Sequence, residues 1–99
     1  MTKADLVEQV AEAIGPGVTK KDCALVADAF LNAMKRALGN GENIEIRGFG
    51  TFKVRKRKSR MARNPRTGEP VEVPARLVPV FKPSKHLRKR VAKLELPDD

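Results

Sequence analysis

At 99 residues the chain holds about one domain's worth of sequence, and a chain this short buries only about 65% of its unfolded surface, so its own core is marginal and a partner chain is expected. Its 21 Lys and Arg against 12 Asp and Glu give a net charge of +9, while 40% of residues are hydrophobic, too many for a disordered tail. Apolar runs stop at five residues, far below the about 20 needed to span a bilayer; no charged-then-apolar leader opens the sequence, and the lone Cys23 has no partner for an internal disulfide, so a soluble intracellular protein is expected.

Thr2-Lys-Ala-Asp5 reads as a helix start, a hydroxyl cap with a carboxylate three residues on, and Leu6, Val7, Val10 and Ile14 then recur on one face until Gly15-Pro16-Gly17 stops it. Thr19-Lys-Lys-Asp22 repeats the start signal. It opens a longer helix in which Leu25, Val26, Ala29, Phe30, Ala33, Met34, Ala37 and Leu38 keep helical spacing up to Gly39 and Gly41. The alanine-rich apolar face of this second helix is too wide for the first helix to cover, which points to burial against another copy.

The period then falls to two. Ile44 and Ile46 alternate with Glu45 and Arg47, and Gly48-Phe49-Gly50 makes a tight connection into Thr51-Phe52-Lys53-Val54, with Phe49 and Phe52 packing into the core. Beyond Val54 the chain has no apolar face left to bury, so a strand here must leave the core. Asn64-Pro65-Arg66-Thr67-Gly68 is a cluster of turn formers, after which Val71, Val73 and Ala75 alternate with polar residues as if returning. The expectation is a projecting hairpin over about residues 53–76, with limbs of about nine residues reaching about 30 Å at ~3.3 Å per residue. Leu77, Val78, Val80 and Phe81 form a third strand, Ser84 caps a closing helix with Leu87, Val91 and Leu94 on one face, and the acidic tail 95–99 is expected to be loose. The chain is thus read as one α+β domain over residues 1–99, a helical body with a three-stranded antiparallel sheet and a projecting β-ribbon arm.

Charge follows this division. Residues 1–46 carry a net −2, residues 47–93 a net +14 and the last six residues a net −3. A solvated charged surface is the bland alternative, and so large an asymmetry argues against it in favour of a polyanion partner.

Catalysis finds little support. His86 lies among Lys85, Arg88, Lys89 and Arg90 and reads as a surface residue; Cys23 reads as a small packing residue, with no second histidine to activate it. One Cys and one His make no zinc site, and no cofactor or small-molecule substrate is expected. Arg47-Gly-Phe-Gly begins like the aromatic strand of an RNA-recognition motif, but Thr51 stands where an aromatic belongs and two helices precede it. The arm remains. Lys53, Arg55, Lys56, Arg57, Lys58, Arg60, Arg63, Arg66 and Arg76 against Glu69 and Glu72 make a ribbon of net +7, read as cationic on both faces and shaped to enter a groove of duplex nucleic acid. Arg47 and Lys82 are counted with these candidates. Pro65 at the tip is a turn former by composition; a rigid apolar ring at the end of a cationic arm is also a candidate wedge between base pairs.

Two helices, Gly48-Phe49-Gly50-Thr51-Phe52, the arm with Arg63-Asn64-Pro65-Arg66-Thr67-Gly68, and Val78-Pro79-Val80-Phe81-Lys82-Pro83 leading into a last helix resemble the bacterial HU and integration host factor (IHF) family, from about residue 2 to residue 94. The resemblance implies an IHF-like DNA-binding fold, an intertwined homodimer or heterodimer with a paralogous chain, and two arms that embrace double-stranded DNA in the minor groove. It implies that Pro65 intercalates, that Arg60, Arg63, Asn64 and Arg66 contact the groove near the tip, and that Lys3 and Lys85 are phosphate contacts of the body. A non-enzymatic architectural protein of the bacterial nucleoid, cytoplasmic, that bends and compacts DNA is therefore expected, with a basic RNA-binding or ribosome-associated protein as the alternative. Ala62 stands where the family usually has glycine before Arg-Asn-Pro, and the Gly15-Pro16-Gly17 connection is longer than in typical HU. Ala75-Arg76, Phe81-Lys82-Pro83 and the acidic tail lean towards the alpha subunit of IHF.

Overall fold

Thr2 opens the first helix as the sequence predicts. In the computed structural model, which describes residues 1–97, its hydroxyl accepts from the Asp5 N–H at 3.4 Å while its own N–H donates to the Asp5 carboxylate at 2.8 Å, a reciprocal cap on α1 (Lys3–Ile14). Gly15, at φ 86°, ends that helix by donating its N–H to the Ala11 carbonyl. Thr19 caps α2 (Lys20–Gly39) by accepting the Asp22 N–H at 3.0 Å. The chain divides into two compact units, Met1–Ala37 and a second beginning at Leu38.

In the first unit only Val7 and Cys23 are buried. Leu25, Val26 and Phe30 stay 61%, 69% and 57% exposed, although each is where helical spacing predicts an apolar face. Between the helices runs an open apolar groove of about 450 Å³, with Leu6, Val10, Val26 and Phe30 in its walls. One chain therefore does not cover its own helical face, as the breadth of that face implied.

The second unit is built on a three-stranded antiparallel sheet in the order β1 (Ile44–Ile46), β2 (Gly50–Arg57), β5 (Arg76–Pro83). The ladder between β2 and β5 runs unbroken from Gly50 opposite Pro83 to Arg57 opposite Arg76. It thus extends three residues past Val54, with Arg55, Lys56 and Arg57 opposite Val78, Leu77 and Arg76 on the returning strand. Lys58-Ser59 and Pro74-Ala75 lie outside any strand, and pairing resumes in a separate ribbon of β3 (Arg60–Arg63) and β4 (Pro70–Val73). Four paired residues per limb give this ribbon about 13 Å at ~3.3 Å per residue, less than the uniform nine-residue limbs expected. The two strands make extensive contact only with each other.

Phe52 and Phe81 face one another across the sheet with ring centroids 4.8 Å apart, and Phe49 joins them at 5.3 Å from Phe81. This aromatic cluster is the intended core of the unit, yet Phe49 and Phe81 remain exposed. Past β5, Ser84 caps α3 (Lys85–Ala92), accepting the Leu87 N–H at 3.1 Å. Leu94, assigned by spacing to the face of that helix, lies just beyond its end and is exposed. The loose tail expected over 95–99 falls in part on residues 98 and 99, outside the described residues. No helix among the described residues is long and apolar enough to cross a membrane.

Candidate nucleic-acid interface

Strand register decides which cations act together. Paired residues of β2 and β5 project from the same face, and side chains alternate along each strand. Lys53, Arg55, Arg57, Arg76 and Lys82 therefore share one face of the sheet, while Phe52, Val54, Leu77, Pro79 and Phe81 occupy the other. Lys56 falls on the apolar side, opposite Leu77. The expectation of a ribbon cationic on both faces is narrowed in the β2–β5 part, where Lys56 alone lies on the apolar side, and holds in the outer ribbon, where Arg60 and Arg63 take opposite faces. In the sheet the charge is sorted by parity, with Val78 and Val80 beneath the basic side chains, where aliphatic stems can lie along them.

What fixes this face is the body end of the sheet. Gly48, at φ 81°, carries the turn that a β-carbon would strain, and the Phe49 N–H closes it on the Ile46 carbonyl at 3.0 Å. Ser84 then holds the turn from outside: its N–H donates to the Phe49 carbonyl at 2.9 Å and its hydroxyl to the Gly48 carbonyl at 3.1 Å. Asn43 accepts the Val54 N–H at 3.1 Å, satisfying a donor of β2 beyond the end of short β1. Arg47 is exposed beside this turn, and with Lys53 and Lys82 it lines a shallow hollow of about 300 Å³ that also contains Glu45.

At the far end, Lys58 lies in the unpaired stretch between β2 and β3, and Arg60 and Arg63 take opposite faces of the outer ribbon by the same parity. The tip is closed by its own polar groups. The Asn64 side-chain oxygen accepts the Arg66 N–H at 2.9 Å, the Gly68 N–H donates to the Asn64 carbonyl at 2.7 Å, and Arg63 donates to the Gly68 carbonyl at 3.2 Å. Asn64, expected as a groove contact, thus spends its acceptor on the turn. Pro65 and Arg66 are exposed on top of it.

Two further expected contacts belong to the helices. Lys3 is paired with Asp28, Nζ to Oδ1 at 2.7 Å. Lys85 is the first residue of α3. Sequence reasoning treated α3 as a basic surface helix and left its outer row aside, although His86, Lys89, Arg90 and Lys93 line one hollow of about 370 Å³; the i, i+3, i+4 spacing was the available signal. The structural roles of Asn43 and Thr67, whose hydroxyl accepts the Glu69 N–H at 3.3 Å, were also missed. Among the described residues neither ion pair engages a cation of residues 47–93. Among the described residues the cations of the sheet face and arm are thus not held in ion pairs, although Glu45, Glu69 and Glu72 lie among them.

Comparison with known proteins agrees with this geometry. The family described as bacterial DNA-binding protein matches residues 1–92. Integration host factor subunit beta of Paraburkholderia phytofirmans is 48% identical over all of this chain and 98% of its own length, and DNA-binding protein HU of Thermus thermophilus is 48% identical over 94% of each. Among solved structures, the Anabaena HU–DNA cocrystal structure superposes with a TM-score of 0.85 at 41% identity, covering 95% of this chain and all of that one. HU from Thermotoga maritima gives 0.64 at 33% identity, over 92% of this chain and 98% of that one. These relatives carry beta-subunit and HU names, so the lean towards the alpha subunit is not carried by them. With a family match across nearly its whole length and the same fold in a DNA-bound relative, this chain belongs to the bacterial DNA-binding protein family of HU and integration host factor.

Proposed function

We propose that the chain is one protomer of an architectural DNA-binding dimer that bends and compacts duplex DNA in the bacterial nucleoid. The observation that carries the reading is the sorting of Lys53, Arg55, Arg57, Arg76 and Lys82 onto one face that leads into a ribbon bearing Arg60, Arg63 and Arg66. A row of cations along a two-stranded ribbon matches phosphates along a groove wall, and each phosphate neutralised releases condensed counter-ions. Minor-groove entry and insertion of Pro65 between base pairs are carried over from the family, whose members HU and IHF are standing examples of that mode. Lys3, Arg47 and Lys85 extend the contacts to the body. Asn64 shapes the tip that presents Pro65.

A second copy of this chain, or a paralogue, covers the exposed apolar faces of α2 and of the sheet. Leu77 at 69% exposure and Val26 at 69% are apolar surfaces that a stable monomer does not leave open. A cytoplasmic location follows from this role. The test is competition among duplex DNA, nicked DNA and RNA hairpins across a salt series, with the mass of the free protein measured in parallel. If the two protomers neutralise about six to ten phosphates, duplex affinity falls about a thousandfold or more between 50 and 200 mM salt. A monomer mass, a shallow slope or a preference for RNA overturns the reading, the last in favour of a basic RNA-binding protein.

A further inference from the structure

The β2–β5 ladder ends on two arginines. Arg57 and Arg76 stand directly opposite one another, a relation that holds Cβ atoms about 4.5–5.5 Å apart on one face and in which like charges oppose pairing. The ladder stops immediately beyond them and resumes at Arg60 opposite Val73. Proline alone does not account for the break at Pro74. Pro79 stands inside the β2–β5 ladder opposite Val54, and Pro83 and Pro70 still pair at the ladder ends opposite Gly50 and Arg63, so a missing N–H does not by itself end the pairing.

Around the break lies an open hollow of about 460 Å³, into which Arg57, Lys58, Arg60 and Arg76 converge from β2, the unpaired stretch, β3 and β5, and no carboxylate lines it. Among the described residues no ion pair involves any of the four. Guanidinium groups present planar donor forks that match phosphoryl oxygens two at a time, and a phosphoryl group between two of them replaces a repulsion with two attractions.

We infer that the hollow at the root of the arm is a phosphate-binding hinge, in which a phosphoryl group bridges Arg57 and Arg76, Lys58 and Arg60 close around it, and occupancy joins the inner and outer ladders into one rod. The inference rests on the DNA-binding reading for its natural ligand, a backbone phosphate. Free polyphosphates have the same chemistry.

The test uses the whole protein, backbone amide resonances and sodium tripolyphosphate, with ionic strength held constant by chloride. Saturable shifts concentrated in residues 57–60 and 73–76 are expected. They vanish in Arg57→Gln/Arg76→Gln and persist in Lys35→Gln/Arg36→Gln, which removes the same charge from α2. A duplex oligonucleotide that moves the same resonances assigns the site to backbone phosphate; a response to tripolyphosphate alone assigns it to free polyanions. Arg76→Glu, which sets a carboxylate opposite Arg57, should slow amide exchange at Lys58 and Ser59 several-fold with no anion present. Unsaturable shifts spread over all the basic residues, or unchanged shifts in the double variant, overturn the hinge. If duplex binding keeps its steep salt dependence in that case, the DNA-binding reading stands without it.

Discussion

The Ser84 hydroxyl donates to the Gly48 carbonyl at 3.1 Å, and the same oxygen accepts the Leu87 N–H at 3.1 Å. One side chain therefore starts α3 and clamps the turn from which β2 departs. The cation row of the sheet inherits its position from this clamp, because Gly50 is the first residue of the strand that carries it.

Ser84→Ala removes both bonds. Loss of a helix N-cap costs about 0.5–2 kcal/mol, and the lost tie to Gly48 puts the expected value at the upper end of that range. Urea unfolding, read at fixed protein concentration because dimerisation contributes to stability, measures it. Ser84→Asp keeps the acceptor for Leu87 and loses the donor to Gly48. It should recover the cap and leave exchange protection in the Gly48-Phe49 turn reduced; equal behaviour of the two variants would show that the clamp carries no weight.

Gly50 is required for a different reason. A β-carbon there would lie 2.6 Å from the Lys82 carbonyl oxygen and 2.6 Å from the Phe81 ring. The carbonyl belongs to the paired backbone and has nowhere to go, so either the ladder or the aromatic cluster must shift. Gly50→Ala should destabilise by about 1–3 kcal/mol, the range for overpacking a filled site. Gly39→Ala, with open space around the new carbon and a helical backbone, is the control and should be neutral or slightly stabilising. Equal thermal unfolding of the two variants would refute the crowding argument.

Lys3 and Asp28 supply a test of the body contacts. Both side chains are about half exposed, at 59% and 48%, so the pair contributes no more than about 1 kcal/mol to stability. Lys3 must give up this partner to meet a phosphate. Asp28→Asn should leave the melting temperature almost unchanged and tighten duplex binding several-fold at low salt, whereas Lys3→Gln should weaken binding and make its salt dependence shallower. Identical duplex affinity in Asp28→Asn and the parent protein would remove Lys3 from the interface.

Local signals made much of this fold legible. Thr2 with Asp5, Thr19 with Asp22 and Ser84 before Leu87 were readable because a capping oxygen and the N–H it accepts lie within one turn. The sorting of charge was harder to read. Lys53, Arg55 and Arg57 already alternate, but Lys56 stands between two of them and Lys58 follows, and only the strand register shows that Lys56 points the other way while Lys58 lies outside the strand. Relations across long stretches of chain, Ser84 to Gly48 and Lys3 to Asp28, left no periodic trace at all. The break between the ladders was obscured for a related reason, since the repulsion of Arg57 and Arg76 exists only once the register is known.

Pro65 allows its turn-forming and wedge roles to be separated. The bonds that close the tip run through Asn64, Arg63, Thr67 and Gly68, and none of them uses the Pro65 ring. Pro65→Ala should therefore leave the tip ordered, with amide protection at Arg66 and Gly68 retained, and keep most of the electrostatic affinity. Asn64→Ala, which removes the side-chain acceptor and keeps the main-chain carbonyl, should loosen the Arg66 amide. If the ring acts as a wedge, the alanine variant loses the rigid face that replaces base stacking, and unstacking costs a few kcal/mol per step. The bend should then decrease, and the preference for nicked over intact duplex should change, because nicked DNA has already lost part of the stacking. Energy transfer between dyes at the two ends of a short duplex, with protein in saturating excess, reads the bend. An unchanged end-to-end distance in Pro65→Ala, with tip amides still protected, would leave the ring no role beyond the turn.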